Sequence, residues 1–230
     1  MSQIKKINIF ILSIVSIAIR DLLIQYRKLV DIVSLLTFFI IVMLIFIFSI
    51  GPYDEKLKDI GVSIIWSILI LSSTISTNKS LREDFDDGSF AVYQFAGLSY
   101  EFIAIIKIIT SWILYQLPLI IFIPLTTIIF EMPIQKIYML VVTMLIGSPI
   151  LTVFSLIASA MMLTNKKNLT IGSLIILPIS VPVIIFAVGA INADPEIYKA
   201  QLYILTSILL ASFAIGPWII SSCIKISVKS

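Results

Sequence analysis

Residues 81–101 read LREDFDDGSFAVYQFAGLSYE, and they separate two runs, about 60–78 and 108–130, that carry no charged residue. Four acids, Glu83, Asp84, Asp86 and Asp87, fall within five positions, and Gly88 and an aromatic-rich stretch follow at once. A helix arriving from the first run can continue to about Phe85. Gly88 is its natural stop, because glycine tolerates left-handed torsions. Ser89 can then cap a short helix, FAVYQFA, by accepting from orphan backbone donors. Gly97 ends that helix, and Ser99 caps the next one, with Glu101 in its first turn. The acids precede the short helix, whose positive N-terminal end favours nearby negative charge. The stretch therefore predicts a short helix lying across the ends of two long apolar ones and presenting Phe90, Tyr93, Gln94 and Phe95.

The rest of the chain sets the solvent. Of its 230 residues 60% are hydrophobic and only 13% charged, with a mean hydropathy of +1.13; a soluble domain carries about 25% charged residues. There is no histidine, and the single cysteine, Cys223, excludes an intrachain disulfide framework. Nucleic-acid binding is not expected, since no basic face is left once the helices sit in lipid.

Six charge-free runs are long enough to cross a bilayer, which takes roughly 18 residues or more. They are 32–50, about 60–78, 108–130, 137–163, 169–191 and 200–224. The class expected is an all-α membrane protein of six transmembrane helices over 29–230, with a cytoplasmic loop at about 81–101. Residues 7–19 are apolar but too few to cross. A cleaved signal peptide is one reading, against which Arg20 and Asp21 stand where a small-residue cleavage site belongs. A seventh span is another. The third comes from spacing: Lys6, Ser13, Arg20 and Arg27 recur every seven residues, and such a repeat drifts only about 20° per turn pair on an α-helix. That makes one polar stripe on an apolar helix, the make-up of an amphipathic helix lying in the interface over 1–28.

Six spans put both termini on one side, which then holds 12 of the 16 Lys and Arg residues. The excess places both termini in the cytoplasm. Lys107, at the mouth of the third span, is expected to snorkel to that interface.

No Asp, Glu, Lys, Arg or His falls inside the six runs. Function at membrane depth normally uses such residues, so an ion-coupled transporter and an intramembrane hydrolase are disfavoured. No catalytic residue and no metal ligand is assigned. The runs offer hydroxyls instead, densest over 60–78, where close helix packing is the plain explanation. Prolines interrupt the third run (Pro118, Pro124), the fourth (Pro149) and the fifth (Pro178, Pro182). Each removes a backbone donor and is expected to bend or break its helix. An external energy source must then act through a loop, and 81–101 is the only cytoplasmic one large enough. An aromatic plug with a charged rim suits a protein contact, although an interfacial turn anchored by aromatics would look similar.

The order Asp86-Asp87-Gly88-Ser89, short apolar helix, Ser99, Glu101 and Lys107 resembles the coupling-helix region of ABC-2-type permeases. More closely, the chain resembles the heme exporter B-type permease family of the cytochrome c maturation system, nearly end to end. Ile50-Gly51-Pro52, Trp66, Trp112, Leu117-Pro118, Pro124, Gly147-Ser148-Pro149 and the run 174–194 with Pro178 and Pro182 carry that likeness. It departs at Ala91, where a glutamate is common, and at Gly97, where a proline is usual; the first removes one ionic contact and the second implies a less rigid helix end.

The resemblance implies an ABC-2-type fold with Asp86, Asp87, Gly88, Ser89, Phe90, Tyr93, Gln94, Phe95 and Gly97 docking a separate ABC ATPase subunit. It implies a second copy of the chain, a heme-handling membrane protein and a heme chaperone as partners, and a bacterial inner membrane or, alternatively, the mitochondrial one. The lack of a presequence-like start fits a bacterial or organelle-encoded product. No cofactor is expected in the chain itself: ATP is used by the partner, and heme is the candidate cargo. No GxxxxGK[ST] occurs, so the chain is not the ATPase. Met144 and Tyr115 are conceivable weak iron ligands, with core packing the plainer role. An exporter permease for a lipid or drug, and a non-transport assembly scaffold, are the rival functions.

Overall fold

A computed structural model of the chain describes residues 29–51, 55–163 and 169–229, together with Val15, Ser16, Ile19, Arg20 and Leu23. Lys6 and Arg27, and with them most of the expected interfacial helix, lie outside the described residues. The five N-terminal ones that are described are helical.

Helix α1 spans Leu29–Ile50, with Asp31 in its first turn, where the helix dipole favours an acid. It ends at Gly51, whose φ is 112°. Helix α2, Glu55–Asp86, has 32 residues, which at 1.5 Å per residue is about 48 Å, well beyond a bilayer core of about 30 Å. Its far end carries the acids out of the apolar layer. Helix α3, Ser89–Phe95, follows the turn at Gly88. Helix α4, Tyr100–Ser111, runs into a π-helical turn, Trp112–Gln116, and on into α5, Leu117–Ile129. Helices α6 (Ile134–Met161), α7 (Leu169–Asn192) and α8 (Pro195–Lys229) complete the chain.

The all-helical membrane class expected from the sequence holds. Among the described residues, Val30–Ile50, Tyr100–Thr126, Ile134–Met161 and Ile197–Val228 are long and apolar enough to cross a membrane, and Ile176–Asn192 is a shorter apolar helix. Helix α6 is central, packed on α2, α7, α8 and the π-turn, while α1 lies mainly along α2. One apolar core gathers Phe39, Met43, Trp66, Leu69, Met144 and Leu151, and a second gathers Leu81, Phe90, Tyr93, Leu98, Ile103, Leu156 and Ile220 beneath α3. The Trp66 ring presses against Gly147, where an added Cβ would come within 2.5 Å of its Cη2. Only glycine permits that approach of α2 to α6.

The prolines do not break their helices. Pro124, Pro149, Pro178 and Pro182 lie inside continuous α5, α6 and α7, and Pro217, not singled out from the sequence, lies inside α8. At Pro118 the missing donor is accommodated by the π-turn just before it, where the Leu117 N–H donates to Trp112 O five residues back. The hydroxyls largely bond within their own helix, as Ser73 does to Ile70 O and Thr152 to Ser148 O. Ties that cross between helices include Ser155 Oγ, which donates to Ser73 O at 2.9 Å, and Trp112 Nε1, which donates to Ser148 Oγ at 2.8 Å.

Candidate functional site

Helix α3 closes the end of the bundle where α2 overshoots. Gly88 has φ 69° and occupies the N-cap position itself, so Ser89 is already the first helical residue. No side-chain cap bond forms there, and the expected Ser89 cap is corrected accordingly: the left-handed glycine makes stop and start in one step. Gly97 has φ 82°. Gly97 N–H donates to Gln94 O at 2.9 Å and Leu98 N–H to Tyr93 O at 3.2 Å, which is the Schellman pattern of a helix C-terminus. Leu98 and Tyr93 share the core beneath. A proline, held near φ −65°, could not adopt this turn, so glycine here fixes the helix end and does not loosen it. Ser99 stands at the N-cap of α4 as expected, without a side-chain cap bond, and Glu101 is in the first turn.

The seven residues of α3 divide into two faces. Phe90 is 1% exposed and Tyr93 is also buried, with Ser89 beside them. Positions 90 and 93 fall on one helix face, and that face meets Leu81, Leu98, Tyr100 and Ile103. The expectation that Phe90 and Tyr93 face outward is therefore corrected: they anchor α3, and burying Phe90 alone contributes about 1.5–3 kcal/mol. The outer face carries Ala91, Val92, Gln94 and Phe95, with Phe95 93% exposed. Asp86, Asp87, Gly88 and Gly97 are exposed at its two ends. Ala91, Gln94, Phe95, Gly97, Leu98 and Ser99 line an open cleft of about 660 Å³.

Four polar ties hold α3 and its flanks to the spans. Lys107 Nζ meets Asp84 at 2.5 Å, joining α4 to α2. Lys107 is 2% exposed; it does not snorkel, because the overshooting end of α2 brings a carboxylate to it. Glu101 accepts from Lys225 Nζ at 2.6 Å and from Ser221 Oγ at 3.1 Å, joining α4 to α8. Arg82 donates to Leu163 O at 2.7 Å, satisfying a carbonyl just beyond α6, and pairs with Asp86 at 3.1 Å. Arg20 donates to the Tyr93 hydroxyl and lies 5.6 Å from the centre of its ring, joining the N-terminal residues to α3. Asp84 and Asp86 are thus committed to partners inside the chain: Arg82–Asp86 follows from i,i+4 spacing, whereas Asp84–Lys107 does not show in local spacing.

Among the described residues no group of three or more His, Cys, Asp or Glu could hold a metal ion. Met144 and Tyr115 are both buried in the apolar core of the bundle, so neither reaches a surface-bound ligand in this conformation. The outer face of α3 is thus apolar at Val92 and Phe95 with polar ends, and its flanks are tied to α2, α4, α8 and the end of α6.

A family model described as "CcmB protein" matches residues 12–227. The "Heme exporter protein B" of Haemophilus influenzae is 30% identical over 213 residues, covering 92% of this chain and 96% of that protein. The proteins of the same name from Paracoccus denitrificans (29% over 219 residues, 93% and 99% covered) and Pseudomonas aeruginosa (25% over 211 residues, 91% and 95% covered) are similar along comparable lengths.

Proposed function

The chain belongs to the CcmB protein family, and on that premise we propose that it is the membrane permease subunit of an ABC transporter serving heme export in c-type cytochrome biogenesis. The near full-length likeness to proteins named heme exporter protein B supports the cargo. The observation that carries the coupling role is the outward face of α3, with Phe95 bare above a cleft of about 660 Å³.

In this reading a separate ABC ATPase subunit seats on Ala91, Val92, Gln94 and Phe95, with Asp86, Asp87, Gly88 and Gly97 at the rim. Ser89, Phe90 and Tyr93 act from beneath as the anchors that make α3 move as one piece with the spans. The chain does no bond chemistry; ATP is hydrolysed in the partner. Nucleotide-driven displacement of α3 passes through Asp84–Lys107, Glu101–Lys225 and Arg82–Leu163 into the bundle. Pro118, Pro124, Pro149, Pro178 and Pro182, each lacking a backbone donor, are where the spans yield.

The layout proposed is an interfacial helix over 1–28, with Lys6, Arg20 and Arg27 along its polar stripe, followed by six spans over 29–230. The fifth and sixth crossings beyond the four long apolar helices come from α2 and α7. Both termini face the cytoplasm of a bacterial inner membrane. A second copy of the chain completes the membrane part, and a heme-handling membrane protein and a heme chaperone receive the cargo.

Co-purification tests this directly. The chain, co-expressed with an ABC ATPase subunit of the same organism, should bring that subunit down in equal ratio, and Phe95→Asp should release it while the melting temperature of the permease stays unchanged. Retention of the ATPase by Phe95→Asp at wild-type level would contradict the docking face.

A further inference from the structure

The π-turn Trp112–Gln116 holds Gln116 in the bundle interior, 1% exposed. Neither its Oε1 nor its Nε2 has a hydrogen-bond partner among the described residues. Ser111 Oγ, at the start of the same turn, and Trp66 Nε1 are buried and unpartnered likewise. The turn packs on α2 and α6. On α6, Ser148 accepts from the Trp112 indole at 2.8 Å, and its neighbour Gly147 carries the Trp66 ring. Gln116, Ser111 and Trp66, buried and without a partner among the described residues, therefore cluster about one irregular turn.

Buried amides are nearly always paired, because leaving them unpaired in apolar surroundings is costly. One that stays unpaired on an irregular backbone suits a segment with two settings. The backbone here permits two. In the present register the Leu117 N–H reaches five residues back to Trp112 O. Pro118, next along, has no N–H to give in either the π or the α register, so the two registers lose the same donor and differ little in hydrogen bonds. Converting the π-turn to α removes one residue from the turn and rotates one flank against the other by roughly 100°. That motion carries Trp112 and Gln116, one turn apart, past Ser148.

We propose that the π-turn Trp112–Gln116 is a two-setting joint between α4 and α5, and that Gln116 is the positioning residue whose amide replaces the Trp112 indole on Ser148 in the other setting. Its use in the transport cycle rests on the ATPase-driven reading above, because Asp84–Lys107 ties α4 to the end of α2 that leads into the docking helix. The resting claim stands apart from that reading.

Two measurements on the full chain in lipid nanodiscs test the inference. Gln116→Met keeps the side-chain length and removes the unpaired amide, so the variant should melt several degrees above wild type. A lower melting temperature would mean the amide is paired at rest, and would overturn the joint. In the complex with the ATPase, Gln116→Met should lower ATP turnover roughly tenfold or more, while Gln116→Asn, which keeps an amide, should restore most of it. Turnover unchanged in Gln116→Met would equally overturn the inference. A wild-type chain that captures no ATPase refutes the docking reading, and the melting comparison then decides the joint by itself.

Discussion

Lys107 sits at the edge of an apolar run, yet its ammonium is enclosed and held 2.5 Å from Asp84. Removing one partner of a buried ion pair leaves an uncompensated charge, at a cost of about 3–5 kcal/mol. Lys107→Met should therefore lower stability by that amount, and the double variant Asp84→Leu/Lys107→Met should recover most of the loss, read as melting temperatures in nanodiscs. A different pair lies at the opposite end: Lys58 Nζ is 2.6 Å from Glu131, and this contact holds the Glu131 carboxyl below its ordinary value of 4.5. A depressed carboxylate stabilises the fold above the ordinary value and loses that contribution as pH falls through the lowered one. The melting-temperature gap between wild type and Glu131→Gln, small because the pair is solvent-exposed, should close as pH drops below 4.5. At this scale the sequence announced the glycines at 88 and 97, because a turn between two helices needs them. It hid the partner of Lys107, since an ion pair between helices leaves no mark in local spacing.

Among the elements, α3 shows what seven residues can and cannot say. Its bounds were legible to within a residue from Gly88 and Gly97. Its buried face was not, because Phe90, Tyr93 and Phe95 are all aromatic and so short a helix has too little periodicity to rank them. Contact with Leu81, Leu98 and Ile103 makes the choice. The Schellman turn leads to a further expectation. Gly97→Ala should cost about 1–2 kcal/mol, the strain of a left-handed residue bearing a Cβ. Gly97→Pro should cost more, because it also removes the N–H that donates to Gln94 O. Thermal melts of the two variants would rank them, and equal stability would show that the turn relaxes freely. The apolar runs were read directly from composition. The proline sites were visible too, but not their outcome: whether a helix breaks or absorbs the lost donor in a π-turn depends on what packs against it.

For the whole molecule, we propose a rigid end and a yielding middle. At that end Arg20 bonds Tyr93 of α3 itself, while Asp84–Lys107, Glu101–Lys225 and Arg82 tie the flanking α2 and α4 to each other, to α8 and to the end of α6, and in the proposed reading a push on α3 is shared through them. In the middle lie the π-turn and the helix prolines. A photo-reactive residue placed at Phe95 tests most directly whether the push arrives there. In the complex purified with its ATPase, the account predicts a cross-link from position 95 to the ATPase and none from position 138, where Tyr138 is exposed near the start of α6. An ATPase that co-purifies yet never cross-links to position 95 would contradict it.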